Sequence, residues 1–182
     1  MDRDDLPLDR RLRQEILYAR ERVYRFGQAT PMERLILPGN EPGPEIWVKR
    51  EDLSPVKSYK WRGACNCMAQ LTPEQRERGV VTASAGNHAQ GVALAAKTLG
   101  IRARIHMPRS TPKVKQNAVR HHGGEWVQIV LTGDSYDEAK AFAAELAAQN
   151  DYRLLSAFDD PDVIAGQGTV GLEIASALSP DV

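Results

Sequence analysis

The 182-residue sequence has no excess charge of either sign, no long apolar run and few cysteines. Its Lys+Arg total of 24 equals its Asp+Glu total of 24, so it lacks the positive field that draws proteins onto nucleic acid or anionic membranes. No apolar run approaches the roughly 20 residues of a membrane span, and the acidic start at Asp2, Asp4 and Asp5 is unlike a signal peptide. These absences predict a cytoplasmic protein that binds neither nucleic acid nor a membrane.

The two cysteines, Cys65 and Cys67, lie two residues apart in a predicted helix, where such positions point to different sides. We therefore expect reduced, partly buried thiols with no disulfide between them. No second group of cysteines or histidines has zinc-site spacing, and His121 and His122 stand alone at a predicted helix end. The sequence thus predicts no metal site.

The hydrophobic content of 42% is that of a globular domain, and its pattern alternates between strands and helices. An amphipathic helix over 8–25 and a short strand over 46–49 come first. Four further strands are predicted, over 79–83, 101–107, 126–131 and 152–155. Helices should begin near Ser58, Asn87, Thr111 and Asp134, with Ser58, Thr111 and Asp134 as N-caps.

This alternation predicts an α/β fold, with a three-layer parallel sheet that carries helices on both faces and has right-handed crossovers. Ligands of such sheets bind at the carboxyl ends of the strands. The turn 84–87 lies at such an end and also at a helix N-terminus, where free backbone N–H groups attract an anion. We therefore expect an anionic ligand group there.

Lys60 lies at a predicted helix start between Tyr59 and Trp61. Two aromatic neighbours can desolvate its ammonium group, which favours the free amine that acts as nucleophile and base. Composition alone favours the other interpretation, a solvated lysine with a partly buried stem. A nucleic-acid patch of Lys57, Lys60 and Arg62 is disfavoured by the neutral overall charge.

The segment 166–171 matches the dinucleotide-binding pattern G-x-G-x-x-G, but no strand directly precedes it. We interpret it as a helix N-terminus packed closely against a neighbour, with Ile174 and Leu178 on its inner side. Two pairs of adjacent carboxylates, Glu51 with Asp52 and Asp159 with Asp160, suit solvated turns better than acid–base chemistry.

Four segments together resemble the threonine dehydratases, which are fold-type II pyridoxal-phosphate (PLP) enzymes. They cover residues 49–53, 58–64, 82–91 and 165–169. The resemblance extends from about Val23 to Leu178 and implies a complete small PLP-fold domain over 51–156. It implies that 1–50 is an N-terminal helix and arm belonging to the large domain, and that 157–182 is the first helix of a truncated large domain.

The resemblance also implies a role for each matching residue. Lys60 would be the Schiff-base lysine that removes the substrate α-proton, and Asn87 would bind the phenolic oxygen of the cofactor. Tyr59 stands beside the cofactor ring where the family usually has Phe. The substrate carboxylate would be held by Ser84, Gly86, Asn87 and His88, which agrees with the anion site inferred from the helix terminus.

The implied reaction is β-elimination of L-threonine, with L-serine as a second substrate, to a 2-oxo acid and ammonia. From L-threonine the product is 2-oxobutanoate, the precursor expected in isoleucine biosynthesis. Ala85 stands where serine racemases usually have a catalytic serine, and it therefore favours a dehydratase.

Because the family's phosphate-binding loop would follow residue 177, we expect weak PLP binding, little lyase activity, and homo-oligomer formation or partner binding through 157–182. The alternative is a non-catalytic paralogue or split subunit that binds an amino acid or a partner.

Overall fold

A computed structural model describes residues 8–36 and 43–178 of the chain. The helices are α1 (Leu8–Val23), α2 (Lys60–Ala69), α3 (Pro73–Arg78), α4 (Asn87–Leu99), α5 (Lys113–Gly123), α6 (Tyr136–Asn150) and α7 (Pro161–Leu178). The strands are β1 (Met32–Leu35), β2 (Ile46–Lys49), β3 (Val80–Ala83), β4 (Ala103–Met107), β5 (Val127–Leu131) and β6 (Arg153–Leu154). The outer ends of the predicted segments 1–50 and 157–182 lie outside the described residues.

The main sheet has four parallel strands in the order β5-β4-β3-β6. Val80 on the central strand β3 is in register with Ala103 on one side and with Arg153 on the other. The predicted α/β class and its parallel sheet are confirmed.

Both faces of β3 are buried, as expected for a strand covered by helices on two sides. Val80 belongs to the large core formed with α2 and α4, whereas Val81 and Ala83 pack with Ala143 and Ala147 of α6 on the opposite face. The predicted three layers follow from this division.

Helices α1, α2 and α7 pack on one another beside the main sheet. The strands β1 and β2 form a separate antiparallel ribbon in which Met32 pairs with Lys49. Across the described ranges, no helix combines the length and apolarity needed to cross a membrane. The domain boundaries at 50 and 156 stay a prediction.

All three predicted N-caps are wrong by one residue. The helices α2, α5 and α6 have Tyr59, Pro112 and Ser135 at their N-caps. Ser135 caps α6 because its side chain accepts a hydrogen bond from the Glu138 N–H at 3.2 Å.

The pattern at 166–171 lies inside α7, which begins at Pro161, so its prediction as a helix N-terminus is also wrong. Asp160 starts this helix instead by accepting hydrogen bonds from the N–H groups of Asp162 and Val163. Ile174 is half-buried, but Leu178 is 43% exposed and lies outside the core. The close packing predicted for the segment is present, because a Cβ at Gly166 would lie 2.5 Å from the Arg62 carbonyl oxygen.

Candidate active site

Four chain segments meet at the carboxyl end of the main sheet and enclose a cavity of about 350 Å³. They are the start of α2, the loop after β3, the first residue of α6 and the loop that precedes α7. The lining residues include the whole predicted set of Tyr59, Lys60, Ser84, Gly86, Asn87 and His88. The structure therefore brings together every residue predicted for the site, and their roles stay predictions.

Lys60 is half-buried and projects its amine into this cavity. The Nζ atom donates a hydrogen bond to the Ala157 carbonyl oxygen at 3.3 Å. It lies 5.2 Å from the centroid of the Tyr59 ring and 5.1 Å from that of Phe158. The predicted second aromatic neighbour, Trp61, is instead completely buried in the core, so Phe158 takes its place beside the amine.

The loop after β3 presents its backbone to the cavity. The Ser84 hydroxyl oxygen accepts hydrogen bonds from the N–H groups of Gly86 and Ala89 at 3.2 and 3.3 Å. A Cβ at Gly86 would meet no atom within 4 Å, so this turn borders open space. Asn87 begins α4 with an exposed side chain, where helix N–H groups suit an anionic ligand.

His88 is the buried member of the set and is 3% exposed. Neither ring nitrogen has a well-formed hydrogen bond among the described residues, and the Leu155 backbone is the polar group that acts on the ring. Burial, reinforced by the positive charge of Lys60, lowers the pKa of His88 to about 4. The imidazole is therefore neutral at pH 7 and offers one donor and one acceptor beside the cavity.

This burial predicts acid sensitivity that depends on His88. The folded-state pKa of about 4 lies below the ordinary 6.5, so the unfolded chain gains the proton first as the pH falls. Stability present above pH 6.5 is therefore lost towards pH 4. Between pH 8 and pH 4.5, the free energy of unfolding should fall by about 2 kcal/mol less in His88→Gln than in the parent chain.

Urea denaturation of both proteins at the two pH values measures this difference. Burial also lowers the pKa values of His106 and His122, so the variant should keep part of the acid sensitivity. Equal losses in the two proteins would show that His88 does not contribute.

A buried ion network directly behind the site was not predicted. The Arg62 side chain is completely buried, and its guanidinium forms ion pairs with the carboxylates of both Glu51 and Glu173. Glu173 also accepts a hydrogen bond from the Tyr24 hydroxyl at 2.8 Å and pairs with Lys49 at 2.6 Å. The network therefore connects three parts of the chain: Glu51 before α2, Arg62 of α2 and Glu173 of α7. Arg62 lies two residues after Lys60.

The prediction of solvated carboxylates holds for one member of each pair, because Asp52 and Asp159 are exposed. It is wrong for the other two. Glu51 belongs to the buried network, and Asp160 is 5% exposed and forms an ion pair with Arg153 at 2.7 Å. Adjacent carboxylates in the sequence gave no sign of these distant cationic partners.

Both cysteines are free and fully buried, more deeply than predicted. Cys67 lies near the carboxylates of Asp160 and Asp162, a set with metal-ligating atoms. The Arg153 guanidinium contacts all three residues, at 3.7 Å from the sulfur and at 2.7 and 3.7 Å from the two carboxylates. Arg153 therefore supplies the positive charge that faces these two carboxylates.

Comparison with known proteins identifies the class to which this fold and site belong. The family described as "Pyridoxal-phosphate dependent enzyme" matches residues 23–182, and the chain belongs to this family. Within it, the chain is 48% identical over 165 residues to L-threonine dehydratase biosynthetic IlvA of Corynebacterium glutamicum. It is also 48% identical over 161 residues to the chloroplastic threonine dehydratase 1 of Solanum lycopersicum.

These alignments include 91% and 88% of this chain but only 38% and 26% of the two relatives. Among solved structures, the processed threonine deaminase isoform 2 of Solanum lycopersicum matches with a TM-score of 0.86 and 42% identity. That match covers 96% of this chain and 47% of the other. Maize serine racemase matches with a TM-score of 0.84 and 32% identity, over 93% and 50% of the two chains. The fold-type II assignment is confirmed, and the chain spans well under two thirds of these proteins.

The residues of the cavity fit the cofactor for which the family is named. A primary amine faces an aromatic ring, an amide, a hydroxyl and the open backbone turn at Gly86. An aldehyde needs the amine for covalent attachment, a flat ring needs aromatic contact, and a phenolic oxygen needs a hydrogen-bond donor. The donor set therefore suits PLP.

Proposed function

We propose that this chain supplies the lysine-bearing part of an active site that converts L-threonine to 2-oxobutanoate and ammonia, with L-serine as a second substrate. The observation that carries the proposal is the projection of Lys60 into a cavity whose opposite wall is the loop from Ser84 to His88. The sequence similarity to threonine dehydratases supports the choice of substrate.

Lys60 would hold the cofactor through Nζ, with Asn87 at its phenolic oxygen and Tyr59 beside its ring. PLP, when bound, withdraws electrons from the α-carbon of an amino acid. The N–H groups at the start of α4 would orient the substrate carboxylate, which places the α-carbon near Lys60. Once the substrate amine had displaced Lys60 Nζ from the cofactor, the freed amine would accept the α-proton as the β-hydroxyl leaves, so that one water is lost in all. Hydrolysis of the resulting enamine would give 2-oxobutanoate and ammonia.

The surroundings of Lys60 bear on the choice of reaction. The rings of Tyr59 and Phe158 flank its amine, with their centroids 5.2 and 5.1 Å from Nζ. Ala85, in the loop opposite Lys60, has no group that can transfer a proton, which supports elimination over racemisation.

Trapping with borohydride tests the assignment of Lys60. The chain is incubated with PLP, reduced and digested, and the modified peptides are mapped by mass spectrometry. We expect a pyridoxyl adduct on Lys60, because this amine lines a cavity suited to the cofactor whereas Lys57 is exposed. The adduct should disappear in Lys60→Ala and persist in Lys57→Ala.

Adducts spread evenly over the lysines, or unchanged labelling in Lys60→Ala, would overturn the assignment. That result would favour the alternative, a binding module without catalysis. Release of 2-oxobutanoate from L-threonine, measured separately, tests the reaction itself.

The proposal includes self-association and a cytoplasmic location. Exposed apolar side chains occur in the segment predicted for this contact, where Phe158, Ile164 and Leu178 are between 38% and 68% exposed, and also on the β1–β2 ribbon. Large exposed apolar side chains are typical of surfaces that meet another chain. The free thiols of Cys65 and Cys67 suit a reducing compartment.

A further inference from the structure

The loop between β6 and α7 forms the wall of the cavity that touches the Lys60 amine. The Ala157 carbonyl oxygen accepts a hydrogen bond from Lys60 Nζ at 3.3 Å, and the centroid of the Phe158 ring lies 5.1 Å from the same atom. Phe158 is 68% exposed, so burial in the core does not hold its ring in place. The position of this wall therefore depends on how the loop is fixed at its two ends.

The first end of the loop is fixed by the main sheet. The Leu155 N–H donates to the Val81 carbonyl oxygen at 2.9 Å, and the Leu155 carbonyl oxygen accepts from the Thr82 hydroxyl at 2.7 Å. Between the two ends, the Ser156 hydroxyl donates to the Asp159 carboxylate at the surface. That bond shapes the turn, but it connects the loop only to itself.

The second end of the loop is fixed by the carboxylate of Asp160, which is 3% exposed. Its Oδ1 atom accepts hydrogen bonds from the N–H groups of Asp162 and Val163, at 3.0 and 3.4 Å. Its Oδ2 atom pairs with Arg153 of β6 at 2.7 Å and lies 3.9 Å from the Cys67 sulfur of α2. One carboxylate thus connects the strand before the loop, the helix after it and the helix that begins with Lys60.

The groups around Asp160 complement its carboxylate. Arg153 supplies the opposite charge, and the N–H groups at the start of α7 add the positive end of a helix dipole. Burial raises the pKa of the Cys67 thiol to about 12, so the sulfur keeps its proton and faces the carboxylate as a donor. Asp160 is therefore a firm attachment point for the loop.

We propose that Asp160 is a positioning residue that acts on Lys60 through the Ala157 carbonyl group and the Phe158 ring. The carboxylate holds the loop against α2, and the loop holds Nζ at one place in the cavity. A misplacement of about 1 Å at a reactive group can cost about a hundredfold in rate, so this contact should govern how fast the amine condenses with an aldehyde, with loss of one water. That last step rests on the proposed function of Lys60, whereas the position of its amine does not.

NMR of the cofactor-free chain, labelled with ¹³C at the ε-carbon of lysine, tests the position of the amine. Lys60→Arg identifies the Lys60 signal, which should lie apart from that of the exposed Lys57 because two aromatic rings flank Nζ. Asp160→Asn keeps an oxygen that can accept from the N–H groups of α7, but it removes the charge that pairs with Arg153. In this variant the Lys60 signal should move towards that of Lys57.

The fold should survive this substitution. Arg153 is 30% exposed and keeps the Asp162 carboxylate at 3.7 Å, so no buried cation loses all its partners. Asp160→Ser, which also provides an N-cap, repeats the test if the asparagine variant does not fold. The matched control Asp162→Asn removes a carboxylate of the same cluster that pairs with Gln70 at 3.1 Å, and it should leave the Lys60 signal unchanged.

The rate of PLP attachment supplies a second measurement. In borohydride trapping, Asp160→Asn should lower the rate of labelling at Lys60 about tenfold, whereas Asp162→Asn should stay within about twofold of the parent chain. If the parent chain is not labelled at Lys60, the proposed function fails, and the NMR signals still decide whether Asp160 positions the amine. An unmoved Lys60 signal or an unchanged labelling rate in the folded Asp160 variants, or equal effects in Asp162→Asn, would overturn the proposal.

Discussion

Replacement of Arg62 by methionine should lower the free energy of unfolding by about 3–5 kcal/mol, because it leaves buried carboxylates without their cation. The Arg62 side chain is fully buried, and those of Glu51 and Glu173 are 13% and 8% exposed. Lys49 pairs with Glu173, and its Nζ is also engaged by the Thr30 carbonyl oxygen. The remaining lysine therefore cannot replace the guanidinium between the two acids.

The exposed pair of Arg109 with Asp134, joined at 3.0 Å, provides the matched control. Because both side chains are more than half exposed, Arg109→Met should change stability by less than about 1 kcal/mol. Urea denaturation of the two variants measures both effects. A loss in Arg62→Met no larger than that in Arg109→Met would show that the buried network does not stabilise the fold.

Replacement of Gly166 by alanine should destabilise the chain by about 3 kcal/mol, because the contact between α2 and α7 has no space for a methyl group. The new Cβ would lie 2.5 Å from the Arg62 carbonyl oxygen and 2.7 Å from the Gly63 Cα. Both atoms belong to the backbone of α2, so relief requires movement of the helix that carries Lys60.

Gly171→Ala, in the same helix, should have the opposite sign. Its Cβ would meet no atom within 4 Å, so alanine gains helix propensity worth about 0.5–1 kcal/mol without a clash. Thermal unfolding of the two variants gives the comparison. A loss of stability in both would assign the effect to the helix as a whole and not to the close contact at Gly166.

The order of strands and helices was predictable because it depends on neighbouring residues. Alternation of Ile101, Ala103, Ile105 and Met107 predicts β4, and Gly100 ends α4 with the left-handed φ of 66° expected of a C-cap. The missed helix α3 also had a local signal, since Thr72 and Gln75 form a capping box around Pro73.

Contacts between distant residues were not predictable in the same way. Phe158 contacts Lys60 from the loop before α7, and Glu173 contacts Arg62 across 111 residues. Hydrophobic periodicity and capping residues predict neither contact, because these patterns describe only a single helix or strand. The resemblance to a known family identified the site residues of α2 and α4 but not the acids that hold α2 in place.

The strand order has a consequence for assembly during synthesis. Lys60 and the Ala157 carbonyl that it contacts are 97 residues apart, and the Thr82 hydroxyl binds the Leu155 carbonyl across 73 residues. Since a ribosome releases the chain from its N-terminus, β3 and the lysine emerge well before β6 and the loop that closes the cavity. Until β6 docks, one edge of β3 stays unpaired and open to wrong strand partners, so this late pairing both protects the nascent sheet and completes the wall around the amine.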